Sequence, residues 1–272
     1  MDKNTMMQNL ARVLNEKDGF NGAWLYAEKG EIVSKGVLGF RDPENTLPIT
    51  EDTIFQLASV SKTFTAAAVM LLVREGKLGL EDKITKFFPE LTAYEGVTIR
   101  HLLTHTGGVP DYFDDADWFI KIWKEEKRVP GNDEILRFLR ETKAKPYFAP
   151  GEGLHYSNTG FNLLALLVEK LSGVPYEEFL QKNIFEPAGM TSTHCCHIRR
   201  DGVPFENYAQ ATVFEDDKCV ADVDSDEYGK VVAFDGLNGD DYVYTNIFDM
   251  FKWDKALREG KVLTKEEQHL MY

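Results

Sequence analysis

Apolar positions recur at helical spacing over 5–16, which predicts an amphipathic helix at the start of the chain. Two strands are predicted next, over 23–27 and 32–38, joined by a hairpin turn at Glu28-Lys29-Gly30-Glu31. Phe55-Gln56-Leu57-Ala58 reads as a short strand or turn, and Ser59 stands where Ser, Thr or Asp caps a helix. The stretch 64–73 is apolar nearly all round, the mark of a buried helix, and Gly76-Lys77-Leu78 supplies its stop. From about 84 to 240 the pattern is mostly helix and loop. Residues 132–142 and 158–171 have helical period, with Ser172-Gly173 ending the second. Residues 174–184 read as a further helix with Pro175 near its start, and a last helical pattern starts near Thr264. No internal repeat or low-complexity tract is visible.

Composition narrows the class of function. The 272 residues suffice for one large or two smaller domains, and a hydrophobic content of 43% is ample for a core. A formal net charge of −14 opposes nucleic-acid binding, which needs a basic face, and opposes docking on anionic membranes. A small-molecule substrate stays open, and nothing in the pattern sets the oligomeric state. The longest apolar run is far too short to span a bilayer. Met1-Asp2-Lys3-Asn4 opens no basic, apolar and small-residue leader pattern. A cytoplasmic location is the expectation, with an exported protein whose leader has been removed as the alternative.

Three motifs suggest metals or disulfides and are set aside. The three cysteines are odd in number, so no disulfide framework is implied and a reducing compartment is the simpler reading. His194-Cys195-Cys196-His197 looks like a metal cluster, but successive residues of a strand face opposite sides, so the four do not converge. Asp222-Val223-Asp224-Ser225-Asp226 resembles the opening of a calcium loop, yet the sixth position is Glu227 and the twelfth Ala233. It and the cluster Asp114, Asp115 and Asp117 read as solvated acidic loops.

Ser59-Val60-Ser61-Lys62 carries the chemistry. On a helix, positions i and i+3 share a face, so the lysine amine reaches the serine hydroxyl and serves as its base. A chain of this length is expected to hold about one such pair by chance. The pattern Y-x-N occurs twice, at Tyr156-Ser157-Asn158 and Tyr244-Thr245-Asn246, so neither motif is specific alone. The bland alternative is a capping Ser59 and a Lys62 that reaches solvent.

Taken in order, the motifs resemble the class C-like branch of the serine β-lactamase and penicillin-binding-protein superfamily. The resemblance runs through Gly22-Ala23-Trp24-Leu25-Tyr26-Ala27, Phe55-Gln56-Leu57-Ala58-Ser59-Val60-Ser61-Lys62-Thr63-Phe64-Thr65 and Ile99-Arg100-His101-Leu102-Leu103-Thr104-His105-Thr106-Gly107-Gly108. It continues through Pro150-Gly151-Glu152, Tyr156-Ser157-Asn158-Thr159-Gly160-Phe161 and Ile184-Phe185-Glu186-Pro187-Ala188-Gly189-Met190. It implies an α+β fold of sandwich type, an antiparallel sheet flanked by helices plus a helical domain. The expected division is a sheet part at about 1–60 and 241–272 and a mostly helical part at about 61–240, within one domain. The family's third motif, Lys- or His-x-Gly, does not occur after Asn158. The expectation drawn from this is a fragment whose sheet is incomplete at its C-terminal end.

The resemblance also implies the roles. Ser59 is the nucleophile, and Lys62 and Tyr156 handle its proton. Asn158 orients Lys62 and the substrate, and Asp111 and Tyr112 lie on a substrate-binding loop after Gly108. The backbone amide of Ser59 supplies one oxyanion donor and the strand of the third motif the other; only if the 272 residues prove fully active would a residue near Asn238-Gly239-Asp240 supply that second donor. Tyr244 and Asn246 are structural, ahead of a helix carrying Asp249 and Trp253. No cofactor or metal is implied. Lys62 is expected in a wet cleft, so that Lys62→Ala leaves the fold intact. The expected function is acyl-enzyme hydrolysis of a small ester, amide or β-lactam. The alternative is a binding or sensor module that turns over slowly or not at all.

Overall fold

The computed structural model describes residues 12–13, 20–203, 205–215, 218–221 and 228–271. The helix expected over 5–16 lies almost wholly outside them, as does the acidic run 222–226.

The strands in chain order are β1 (Gly22–Glu28), β2 (Glu31–Leu38), β3 (Phe55–Gln56), β4 (His194–Cys195), β5 (Thr212–Glu215), β6 (Lys218–Ala221) and β7 (Val243–Thr245). β1 and β2 form the expected hairpin, paired from Gly22 opposite Leu38 to Glu28 opposite Glu31, with the register shifting between Tyr26 and Ala27. Its two turn residues, Lys29 and Gly30, both have positive φ (54° and 83°), which gives the turn a twist that matches the strands. Instead of one sheet there are three small ones among the described residues, β1-β2, β3-β7-β4 and β5-β6, and all their pairings are antiparallel. The region expected to be helix and loop therefore contributes β4 and the β5-β6 hairpin. Strand segments of two to four residues are too short to show alternation, so the pattern could not reveal them.

The helices are α1 (Lys62–Arg74), α2 (Ile99–Leu103), α3 (Ala116–Glu126), α4 (Asp133–Glu141), α5 (Asn158–Ser172), α6 (Tyr176–Leu180), α7 (Glu186–Ala188), α8 (Ile198–Asp201), α9 (Tyr228–Phe234), α10 (Ile247–Arg258) and α11 (Lys265–Met271). The helix expected over 174–184 is α6, which widens into a π-helical turn at Gln181–Phe185 before α7.

α1 and α5 are the buried pair. Residues 67–72 of α1 and 159–168 of α5 are buried without a break, as an all-round apolar pattern requires. α10 closes this core. Trp253 lies 4.9 Å from Phe64 on α1, and Phe185 meets the same ring edge-on at 5.4 Å. Each such side chain contributes roughly 1.5–3 kcal/mol on burial. Among the described residues no helix is long and apolar enough to cross a membrane.

Candidate active site

Ser59 does not cap α1. It lies inside a 3-10 turn, Ala58–Ser61, that leads into the helix, and the residue at the N-cap of α1, Ser61, makes no side-chain cap bond. Ser61 instead accepts from the backbone N–H of Val243 at 3.1 Å, tying the turn to β7. Ala58 sits at φ 46°, a left-handed conformation that costs an L-residue roughly 1–2 kcal/mol. That strained turn leaves Ser59 exposed while Lys62 behind it is only 7% exposed. The wet cleft expected around Lys62 is therefore replaced by a nearly dry socket.

The Lys62 ammonium makes three hydrogen bonds. It donates to Ser59 Oγ at 3.1 Å, to Asn158 Oδ1 at 2.7 Å and to the backbone oxygen of Asp240 at 2.9 Å. Three acceptors match the three protons of an ammonium. Tyr156 approaches through its ring, with Nζ 4.9 Å from the centroid, and is itself 46% exposed. His105 stacks on that ring at 4.3 Å. Helix α5 delivers these groups because Ser157 caps it, accepting from Gly160 N–H at 3.2 Å, and so fixes Tyr156 and Asn158 on either side.

Asp111 and Tyr112, expected to contact substrate, are buried and mainly engaged by protein groups. Asp111 Oδ2 accepts from the backbone N–H of Asn158 at 2.7 Å and from Asn158 Nδ2 at 3.1 Å, and Oδ1 accepts from Phe113 N–H at 2.9 Å. Asp111 thus orients Asn158 from behind. Its burial raises the carboxyl above the usual range, against those three bonds. Tyr112 gives its hydroxyl to Asp240 Oδ2 at 2.8 Å, and its ring forms part of the wall of a cavity of about 500 Å³ that also includes Gln56, Phe113, Phe234, Asp241 and Tyr242.

The loop 238–240 enters the site in a way the sequence did not reveal. Its three successive carbonyls all accept from buried side chains. Asn238 O receives Asn132 Nδ2 at 3.0 Å and Asn162 Nδ2 at 2.8 Å, Gly239 O receives Thr65 Oγ1 at 2.5 Å, and Asp240 O receives Lys62. Through these carbonyls the loop offers the site acceptors. Gly239 is required at φ 101°, because a Cβ there would lie 2.3 Å from the oxygen of Phe161. The Asp240 carboxyl, held by Tyr112 and by Asn162 Nδ2 at 2.6 Å, is pushed up to about 6 by burial, with Lys62 pulling the other way. One signal was available: Asn162 is four residues after Asn158 and so shares its face of α5.

The remaining motifs fall elsewhere. Tyr244 is buried in β7 with a hydroxyl that has no partner among the described residues, and Asn246 caps α10 by accepting from the N–H groups of Phe248 and Asp249. His194 packs on Phe205 and His197 on Tyr242, so the two imidazoles of the H-C-C-H run face different rings.

Known proteins share this arrangement of chain. Penicillin-binding protein 4* of Bacillus subtilis (strain 168) is 38% identical over 266 residues, 97% of this chain and 58% of that protein. Esterase EstB of Burkholderia gladioli is 32% identical over 194 residues, 66% of this chain and 48% of that protein. The chain thus spans about half the length of these relatives. The crystal structure of D-amino acid amidase from Ochrobactrum anthropi SV3 complexed with L-phenylalanine amide superposes with a TM-score of 0.76 at 26% identity, covering 97% of this chain and 72% of the amidase. The beta-lactamase family model matches residues 7–272, and by that match the chain belongs to the beta-lactamase family.

Proposed function

We propose that this chain carries the acylating centre of a serine hydrolase acting on a small ester, amide or β-lactam-like substrate. The observation that carries the reading is the Lys62 amine 3.1 Å from Ser59 Oγ, held there by Asn158 and the Asp240 carbonyl. A lysine buried this deeply against an exposed serine has no structural need that a cap would not meet, and it suits an activated nucleophile.

With all three ammonium protons donated, one proton must leave before Lys62 can act as a base. Tyr156, over whose ring Nζ lies and which is open to solvent, is the group assigned to relay it. The Ser59 hydroxyl then gives its proton to the Lys62 amine as Oγ bonds to the carbonyl carbon. The backbone amide of Ser59, in the first turn of a 3-10 helix where amides lack a helical acceptor, takes the oxyanion. The proton passes to the leaving amine or alcohol as its bond to carbon breaks. Water attacks the acyl-enzyme by the same route, which releases the acid and restores Ser59.

A fluorophosphonate probe is expected to add its mass to the peptide containing Ser59, and Ser59→Ala to abolish the adduct. Lys62→Met is expected to slow labelling by about 10²–10⁴, the usual share of a general base. Labelling that persists in Ser59→Ala overturns the assignment.

A further inference from the structure

We propose that His105 is the residue that positions Tyr156 and thereby sets the lower pH limit at which Ser59 acylates. The inference rests on the serine-hydrolase reading and extends it to a residue with no part in the proton transfers.

His105 takes hold of three consecutive residues. Its carbonyl accepts from His155 N–H at 3.0 Å, its Nδ1 accepts from Ser157 N–H at 3.1 Å, and its ring lies on that of Tyr156 with planes 29° apart. Phe161 supports the imidazole at 5.2 Å. The residue does this from φ 58°, a strained position for a non-glycine side chain, in the turn just after α2.

An Nδ1 that accepts from a backbone N–H carries no proton, so the ring is neutral with its hydrogen on Nε2. A second proton would set an N–H against the Ser157 N–H at 3.1 Å, where neither can accept. It would also bring a cation toward Lys62. The titratable and charged groups around the ring are Lys62 from α1, His101 from α2, and His155 and Tyr156 from the segment itself, with Asp111 reaching that segment through the Asn158 N–H. Burial, then Lys62, then His155, hold His105 below its ordinary value of 6.5. The clamp is therefore intact near neutrality and opens in mild acid. Opening frees Ser157 and Tyr156 together, and the relay to Lys62 is lost with them.

The test is the rate of Ser59 labelling by the fluorophosphonate between pH 4.5 and 8.5, beside an NMR titration of the His105 ring in the unmodified protein. The labelling rate is expected to fall about tenfold per pH unit below an inflection that coincides with the His105 titration. His105→Asn keeps an acceptor for Ser157, tolerates the left-handed backbone and cannot titrate, so it is expected to label slowly at pH 7.5, about tenfold down, and to lose that inflection. His105→Phe keeps the ring contact without the acceptor and is expected to label more slowly still. A residue that merely braced the fold would lower the melting temperature of these variants without reshaping the profile. An inflection unmoved in His105→Asn, or separated from the His105 titration by more than about one pH unit in the unmodified protein, overturns the inference and leaves the hydrolase reading standing. Absence of Ser59 labelling at every pH overturns both.

Discussion

Tyr156 and Tyr244 carry the same three-residue signature in opposite surroundings. Tyr156 is 46% exposed beside Lys62, while Tyr244 is 1% exposed with a hydroxyl that none of the described residues pairs. Removing a buried hydroxyl that bonds to none of the described residues relieves a desolvation cost, so Tyr244→Phe is expected to leave labelling unchanged and stability equal or higher. Tyr156→Phe is expected to slow hydrolysis of a p-nitrophenyl ester by about 10²–10⁴. Parallel kinetics and melting curves on the two variants decide it, and a reversed ranking refutes the choice of tyrosine. At this scale the pairing of Ser59 with Lys62 was legible because a helix fixes the i to i+3 distance. The roles of Asp111 and Tyr112 were not, because nothing in local spacing says whether a polar side chain faces a cleft or the back of its neighbour.

Elements are placed by their ends. Asn246 accepts two amide hydrogens at the start of α10, and that helix carries Trp253 onto Phe64 and buried Asp249 onto Ser192 N–H at 2.7 Å and Thr193 Oγ1 at 2.9 Å. Asn246→Ala is expected to cost about 1 kcal/mol in urea denaturation, the usual worth of a cap, without altering the labelling rate of the folded fraction. A slowed rate at unchanged stability would mean that the second Y-x-N has a chemical role after all. The expected cap at Ser59 fails for a related reason. A 3-10 turn with Ala58 in a left-handed conformation precedes α1, and periodicity registers the helix but not how the chain enters it.

The molecule as a whole is held at the site by one buried ion and its carbonyl loop. Asp240 titrates near 6 in the folded protein and near 3.8 once unfolded. Between those values the folded state binds the extra proton, so stability falls as pH rises through the window and is level above it. Asp240→Asn, which can still meet Tyr112 and Asn162, is expected to remove that fall and to shrink the stability difference between pH 4 and pH 7 by roughly 1–3 kcal/mol. Lys62→Met withdraws the cation that lowers Asp240 and is expected to move the window upward, so that the variant is weaker than the parent at pH 7. Urea denaturation at pH 4, 5, 6 and 7 measures both. An identical pH slope in Asp240→Asn would show that the carboxyl is not strained by its burial.

The amino-acid sequence by itself determined the N-terminal hairpin, the buried α1 and α5, the pairing of Ser59 with Lys62 and the family, because each rests on local period or on the order of motifs. Only the tertiary structure decided that Lys62 is nearly dry, that the carbonyls of 238–240 face α1 and α5, and that His105 grips the residues around Tyr156. Those contacts join positions 50 to 178 residues apart, and burial, charge and hydrogen-bond direction there depend on which elements meet, which no window along the chain contains.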